Sequence, residues 1–83
     1  MSTSAIVRDP RVKDVRCTED TLEVSLRDGR KISAPISWFP RLAAASVHDR
    51  GIWEVGAAGY GIHWPLVDED LSVEGLLRAQ SGV

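Results

Sequence analysis

Eighty-three residues hold one domain and leave no room for a second core. A net charge of −2 with a single cysteine argues against a nucleic-acid binder held mainly by phosphate contacts, and excludes an internal disulfide or a thiolate metal cluster. No apolar run approaches the roughly 18 residues of a membrane span, and Met1 to Ala5 lacks the charged-then-apolar order of a secretion signal.

A soluble, cytoplasmic protein is therefore the expectation. A core this small contributes only about 3–5 kcal/mol, so self-association or a partner should matter to stability. The charge is also uneven. Residues 1–31 carry seven Lys/Arg against six Asp/Glu, and residues 32–83 carry three against six, concentrated at Asp68, Glu69, Asp70 and Glu74.

Along the chain, residues 1–10 read as a flexible lead-in, 11–79 as a single domain and 80–83 as a frayed end. Val12 to Cys17 reads as a strand with Val15 and Cys17 on one face. Thr18 to Thr21 carries turn chemistry, short polar side chains that bond to nearby backbone. "TLEVSLRDGRKISAPI" then alternates twice, aligning Leu22, Val24 and Leu26, and afterwards Ile32, Ala34 and Ile36. A two-residue Asp28-Gly29 loop would put those sets on opposite faces. A three-residue loop, Arg27 to Gly29 with Gly29 left-handed, pairs Val24 with Ile32 and Leu22 with Ala34. A one-residue slip inverts every side chain, so the buried face selects the longer loop.

Pro35 should end the third strand, because it has no N–H for a ladder. Ser37 is expected to cap a short helix, about Trp38 to Ala45, with Pro40 in its first turn. Ser46, followed by Asp49, has the spacing of a second cap. Two strand pieces follow, about Ile52–Ala57 and Gly61–Trp64, joined through Gly59 and stopped by Pro65. Asp70 or Ser72 then caps a last helix, Val73 to Leu77. The expected fold is α+β: a small antiparallel sheet, hairpin or meander, with two short helices on one face.

Chemistry-bearing motifs are sparse. Gly56, Gly59 and Gly61 are spaced G-x-x-G-x-G, but they lead into a strand, where a phosphate loop must open a helix. They are read as bends. His63 with Asp68, Glu69 and Asp70 offers metal-type ligands around only one nearby nitrogen donor, whereas acids before a helix also cap its free N–H groups. Cys17 with His63, or Ser37 with His48, could be drawn as nucleophile and base, yet no spacing supports either, and no enzyme activity is expected. Three tryptophans, Trp38, Trp53 and Trp64, supply most of the aromatic area. Most of it should build the core, with Trp38 and Arg41 the surface members and candidate binding anchors.

"DGRKISAPISWFPRL" followed by "GIWEVGAAGYGIHWPLVDEDLSVEGLL" resembles the prokaryotic family catalogued as domain of unknown function 2442, over about residues 12–78. Val67 and Leu71 stand where the family commonly has Leu and Ile, and Ala57 and Ala58 fall in a stretch often rich in glycine. The resemblance implies a compact α+β fold and brings no catalytic residue. It also implies a bacterial or mobile-element setting, often beside another small protein as in toxin–antitoxin pairs. Some members carry a helix-turn-helix after this domain.

The expectation is a protein-binding or regulatory module, the antitoxin-like half of such a pair, whose partner is encoded by a neighbouring gene. Its interface candidates are Trp38, Arg41, His63, Asp68, Glu69 and Asp70. A homodimer is expected, because an open sheet has edges. No cofactor, no direct nucleic-acid binding and no membrane contact are expected. The alternative is a small ligand- or metal-binding domain using His63 and the nearby acids.

Overall fold

Strands β1 (Val12–Cys17), β2 (Thr21–Leu26) and β3 (Lys31–Pro35) form an antiparallel sheet in the order β1-β2-β3. The structure, a computed structural model, describes residues 8–81. The readings made for residues 1–7 and for Gly82 and Val83 lie outside the described residues.

The β2–β3 register pairs Val24 with Ile32 and Leu22 with Ala34, as the three-residue loop requires. Gly29 sits at φ +96°, a left-handed conformation that costs glycine little. It donates to the Leu26 carbonyl at 3.1 Å, and Leu26 donates to the Arg30 carbonyl at 2.8 Å. In β1 the register shifts between Val12 and Asp14. That bulge brings Val12 and Val15 both into the core while Cys17 stays half-buried.

Before β1, Asp9 is tied to the hairpin loop. Its N–H donates to Asp28 Oδ2 at 3.0 Å, and the Asp28 N–H donates to the Asp9 carbonyl at 3.2 Å. The Arg11 guanidinium bonds both Asp9 carboxylate oxygens at 2.9 Å, and this holds the Asp9 carboxyl down at about 2. The Arg30 guanidinium lowers the Asp28 carboxyl in the same way. Both carboxyls are depressed in the folded state, so their contribution is present above the unfolded value near 4 and disappears as pH falls toward 2. An Asp9→Asn chain should therefore show a urea midpoint that falls less steeply than the wild type's between pH 4 and 2. Parallel slopes would show that these pairs do not couple to folding.

After Pro35 the chain makes one 3₁₀ turn, Ile36–Trp38, and then helix α1 (Pro40–Ala43). The expected single helix capped by Ser37 is thus broken at Phe39, which sits at φ −123°, ψ 86° and makes no side-chain cap. The physical reason is Pro40, whose ring drives the preceding residue out of the helical region while itself fitting the first helical position. Helix α2 (Val47–Arg50) starts as expected, with Ser46 Oγ accepting the Asp49 N–H at 3.1 Å.

Strands β4 (Glu54–Gly56), β5 (Gly61–Trp64) and β6 (Glu69–Ser72) make a second antiparallel sheet in the order β4-β5-β6. The fold class is α+β, built from two three-stranded sheets where one was expected. The sixth strand is the new element. Pro65 to Asp68 turn the chain back, with Asp68 at φ +55°, a left-handed position that Asp tolerates better than most. The acids of this segment are therefore in a hairpin, not in a helix cap. Ser72 is the cap of α3 (Val73–Ser81): its Oγ accepts the Gly75 N–H at 2.9 Å. Helix α3 runs past the expected Leu77, and Gln80 Nε2 donates to the Ser33 carbonyl on β3 at 2.7 Å.

Between β4 and β5, Ala57, Ala58 and Gly59 all have positive φ, a run of left-handed residues that reverses the strand. A side chain at Gly59 would lie 2.8 Å from the Arg11 stem. Of the three glycines read as bends, Gly59 serves the reversal, while Gly56 and Gly61 lie in the flanking strands β4 and β5. The apolar faces of both sheets meet in one core containing Leu22, Val24, Ile32, Ile62, Trp64 and Leu76.

Arg50 lies inside this assembly with only 8% of its surface exposed. Its guanidinium donates to the carbonyls of Leu42 (2.8 Å), Ala43 (2.9 Å), Thr18 (3.1 Å) and Glu19 (3.2 Å). Two of those carbonyls end α1 and two belong to the β1–β2 turn, so one side chain joins the helical segment to the first sheet. The Arg50 carbonyl in turn accepts Trp64 Nε1–H at 3.1 Å, which adds the second sheet.

Candidate interaction face

Side chains alternate across a strand, so burying Ile62 and Trp64 of β5 turns His63 outward. The registers place Glu54, His63 and Asp70 directly opposite one another on β4, β5 and β6. His63 Nδ1 lies 2.8 Å from Asp70 Oδ1. A carboxylate only accepts, so Nδ1 carries the hydrogen of this bond. The next row is Gly56, Gly61 and Ser72. Two positions without side chains beside His63 leave a hollow of about 360 Å³, bordered by Tyr60, His63, Asp70 and Ser72.

The hairpin tip carries the second cluster. Arg41 Nη1 donates to the Asp68 carbonyl at 2.6 Å and stands 3.7 Å from its carboxylate. Arg41, read from the sequence as a free anchor, therefore also fixes the β5–β6 turn against α1. Asp68 itself stays 91% exposed at its side chain. Trp38, three residues before Arg41, is 51% exposed, and Leu66 in the turn is exposed too. Glu69 faces Trp64 in the register, and its carboxylate accepts the Asp70 N–H at 3.1 Å. Of the six sequence candidates, His63, Asp68, Glu69 and Asp70 lie on the β5–β6 hairpin and Arg41 reaches its tip from α1, while Trp38 stands three residues before Arg41 in the preceding 3₁₀ turn.

Among the described residues, no group of three or more His, Cys, Asp or Glu side chains is placed to hold a metal ion. Burial pushes the Cys17 thiol up, away from the thiolate that nucleophilic chemistry needs. Two features have no signal in the sequence. One is the Glu54–His63 opposition, which depends on a hairpin register that only the fold reveals. The other is an apolar groove of about 660 Å³ beside α3, lined by Pro10, Ala57, Tyr60, Val73 and Leu77 among others. Among the described residues, no helix is long and apolar enough to cross a membrane.

Comparison with known proteins agrees with this fold. A family model described as "Protein of unknown function (DUF2442)" matches residues 12–82. The chain is similar to a solved structure of a protein of unknown function from Rhodospirillum rubrum, with a TM-score of 0.73 at 30% identity, covering 83% of this chain and 86% of that one. No curated protein matches.

Proposed function

This chain belongs to the family of domain of unknown function 2442, and from that premise we propose that it is a cytoplasmic protein-binding module without catalytic activity of its own. The observation that supports this best is the β5–β6 hairpin. It displays Asp68 and Asp70 in solvent, with Glu54 in the same cross-strand row as Asp70, and the Arg41 that holds its tip follows an exposed Trp38 by three residues. Acids in such a place steer a basic partner toward the face, and tryptophan and arginine are among the residue types enriched at binding hot spots. The partner is a small basic protein encoded next to this chain, which acts as the antitoxin-like half of the pair.

Co-expression with the neighbouring gene product should yield a complex that co-purifies and relieves any toxicity of that product. Trp38→Ala should weaken the complex by about thirtyfold, as loss of a hot-spot aromatic does, with the unfolding midpoint unchanged. Asp70→Asn should slow association and flatten its salt dependence. The absence of both co-purification and rescue with every neighbour would overturn the proposal.

The hollow beside His63 supports a second reading, a small polar ligand held by His63 and Asp70. His63→Ala should then remove ligand binding without moving the unfolding midpoint. A variant that merely loses stability would make His63 a structural residue.

A further inference from the structure

We propose that the β2–β3 hairpin end of the first sheet is a surface for the sugar–phosphate backbone of a nucleic-acid duplex, recognised by charge alone and without sequence preference. A net charge of −2 speaks against phosphate contacts only while the charges are evenly spread, because the local field decides where a polyanion settles. The fold sorts them. Segments 8–13 and 27–31 hold six of the chain's ten Lys and Arg, against Asp9 and Asp28 alone. Backbone hydrogen bonds join the two segments: the Arg27 N–H donates to the Arg11 carbonyl at 2.9 Å, and the Asp28 N–H to that of Asp9 at 3.2 Å. Glu19 and Asp20, which help to balance the count over residues 1–31, lie in the β1–β2 turn at the opposite end of the sheet.

The two acids within the cluster do not cancel it. The Asp28 carboxylate is 5% exposed under an Arg30 side chain that is 43% exposed, and Asp9 is likewise more covered than the Arg11 that bonds it. Each carboxylate thus fixes a guanidinium that still faces water. Arg8, Lys13, Arg27 and Lys31 are exposed and form no ion pair among the described residues. Asp14 borders the cluster, separated from Lys31 by Ser25 on the middle strand.

The make-up of the face selects the kind of partner. None of the large apolar side chains exposed elsewhere lies in these two segments, so the face has no apolar group to sink into a bilayer and no aromatic anchor of the kind that protein hot spots use. A nucleic-acid backbone needs neither. Lys and Arg on its phosphates release condensed counterions, and that release supplies nearly all of non-specific binding. Three strands about 4.8 Å apart spread the cations over roughly 10 Å, a length over which a duplex carries about six charges. The inference does not rest on the proposed protein partner. The Arg11 stem lies against Gly59, before β5, whereas Asp68 and Glu69 follow the other end of that strand.

The test is fluorescence anisotropy of labelled DNA duplexes of about 20 base pairs, titrated with the whole chain over a salt series. Two duplexes of unrelated sequence should bind equally. Four phosphate contacts should make binding weaken about 150-fold between about 0.05 and 0.2 M salt, and an Arg27→Ala, Lys31→Ala chain, with two contacts left, should weaken only about 12-fold. An Arg8→Ala, Lys13→Ala chain should behave in the same way, so one pair suffices if circular dichroism shows the other to be misfolded. Four results would each overturn the proposal: no binding by the wild type, a marked preference for one duplex, a salt dependence unchanged in the folded double variants, or tighter binding at equal salt to phosphatidylglycerol vesicles or polyglutamate than to the duplex.

Discussion

An Arg50→Met chain should lose about 3–5 kcal/mol of stability, the order expected when several main-chain acceptors lose a charged donor together at about 1–3 kcal/mol each, less what water recovers. Methionine fills much of the volume and keeps the stem's contacts, so the loss isolates the guanidinium. Four carbonyls, those of Leu42, Ala43, Thr18 and Glu19, accept from it, and among the described residues only that of Leu42 also accepts a backbone donor, the Ala45 N–H at 3.1 Å. Mutation cannot remove main-chain carbonyls. A buried acceptor left without a donor costs about 1–3 kcal/mol, and water entering the site recovers part of the total. A loss of this size equals the whole contribution expected from so small a core, and most of the variant should be unfolded at 25 °C.

Arg50→Lys keeps the charge but offers a point where the fork reaches acceptors on two sides, so its midpoint should fall between the other two. Urea unfolding followed by tryptophan fluorescence measures all three. An Arg50→Met midpoint equal to the wild type's would show that the four hydrogen bonds merely replace those made to water.

Arg50 also marks where the sequence stops being informative. "VHDRG" shows the cap at Ser46, because cap geometry is local and its residues are three apart. It does not show that the next arginine folds inward, because the four acceptors come from segments up to 32 residues away. The β2–β3 hairpin lies at the other extreme. Alternation over "TLEVSL" and "KISAP", with Asp-Gly between, leaves one register that buries both apolar sets, and the fold has that register. Strand β6 was hidden for a related reason. Glu69, Asp70 and Ser72 are polar and only Leu71 is apolar, so no alternation could outweigh the capping chemistry of three successive acids. With β6 unseen, the opposition of Glu54, His63 and Asp70 could not be read either. The residues of the candidate face were legible as a set, but their pairing depends on a sheet that composition does not announce.

Trp64→Ala should be comparably severe, because its side chain is wholly buried at the junction of both sheets and truncating such an aromatic costs about 3–5 kcal/mol. Trp64→Phe separates packing from hydrogen bonding, since it keeps most of the ring and deletes the Nε1 donor to the Arg50 carbonyl. That variant should lose about 1–3 kcal/mol, the range for leaving a buried acceptor unpaired. The two residues share one structural unit: the guanidinium positions the α2 backbone, and the indole bonds the carbonyl at the end of that same segment. Their effects should therefore be non-additive, with Trp64→Phe milder in an Arg50→Lys background than in the wild type. Chemical unfolding of the four chains of this double-mutant cycle gives the coupling directly. A coupling of zero would mean that the α2 backbone keeps its place without the arginine fork, and that the link from first sheet to helix to second sheet is not cooperative.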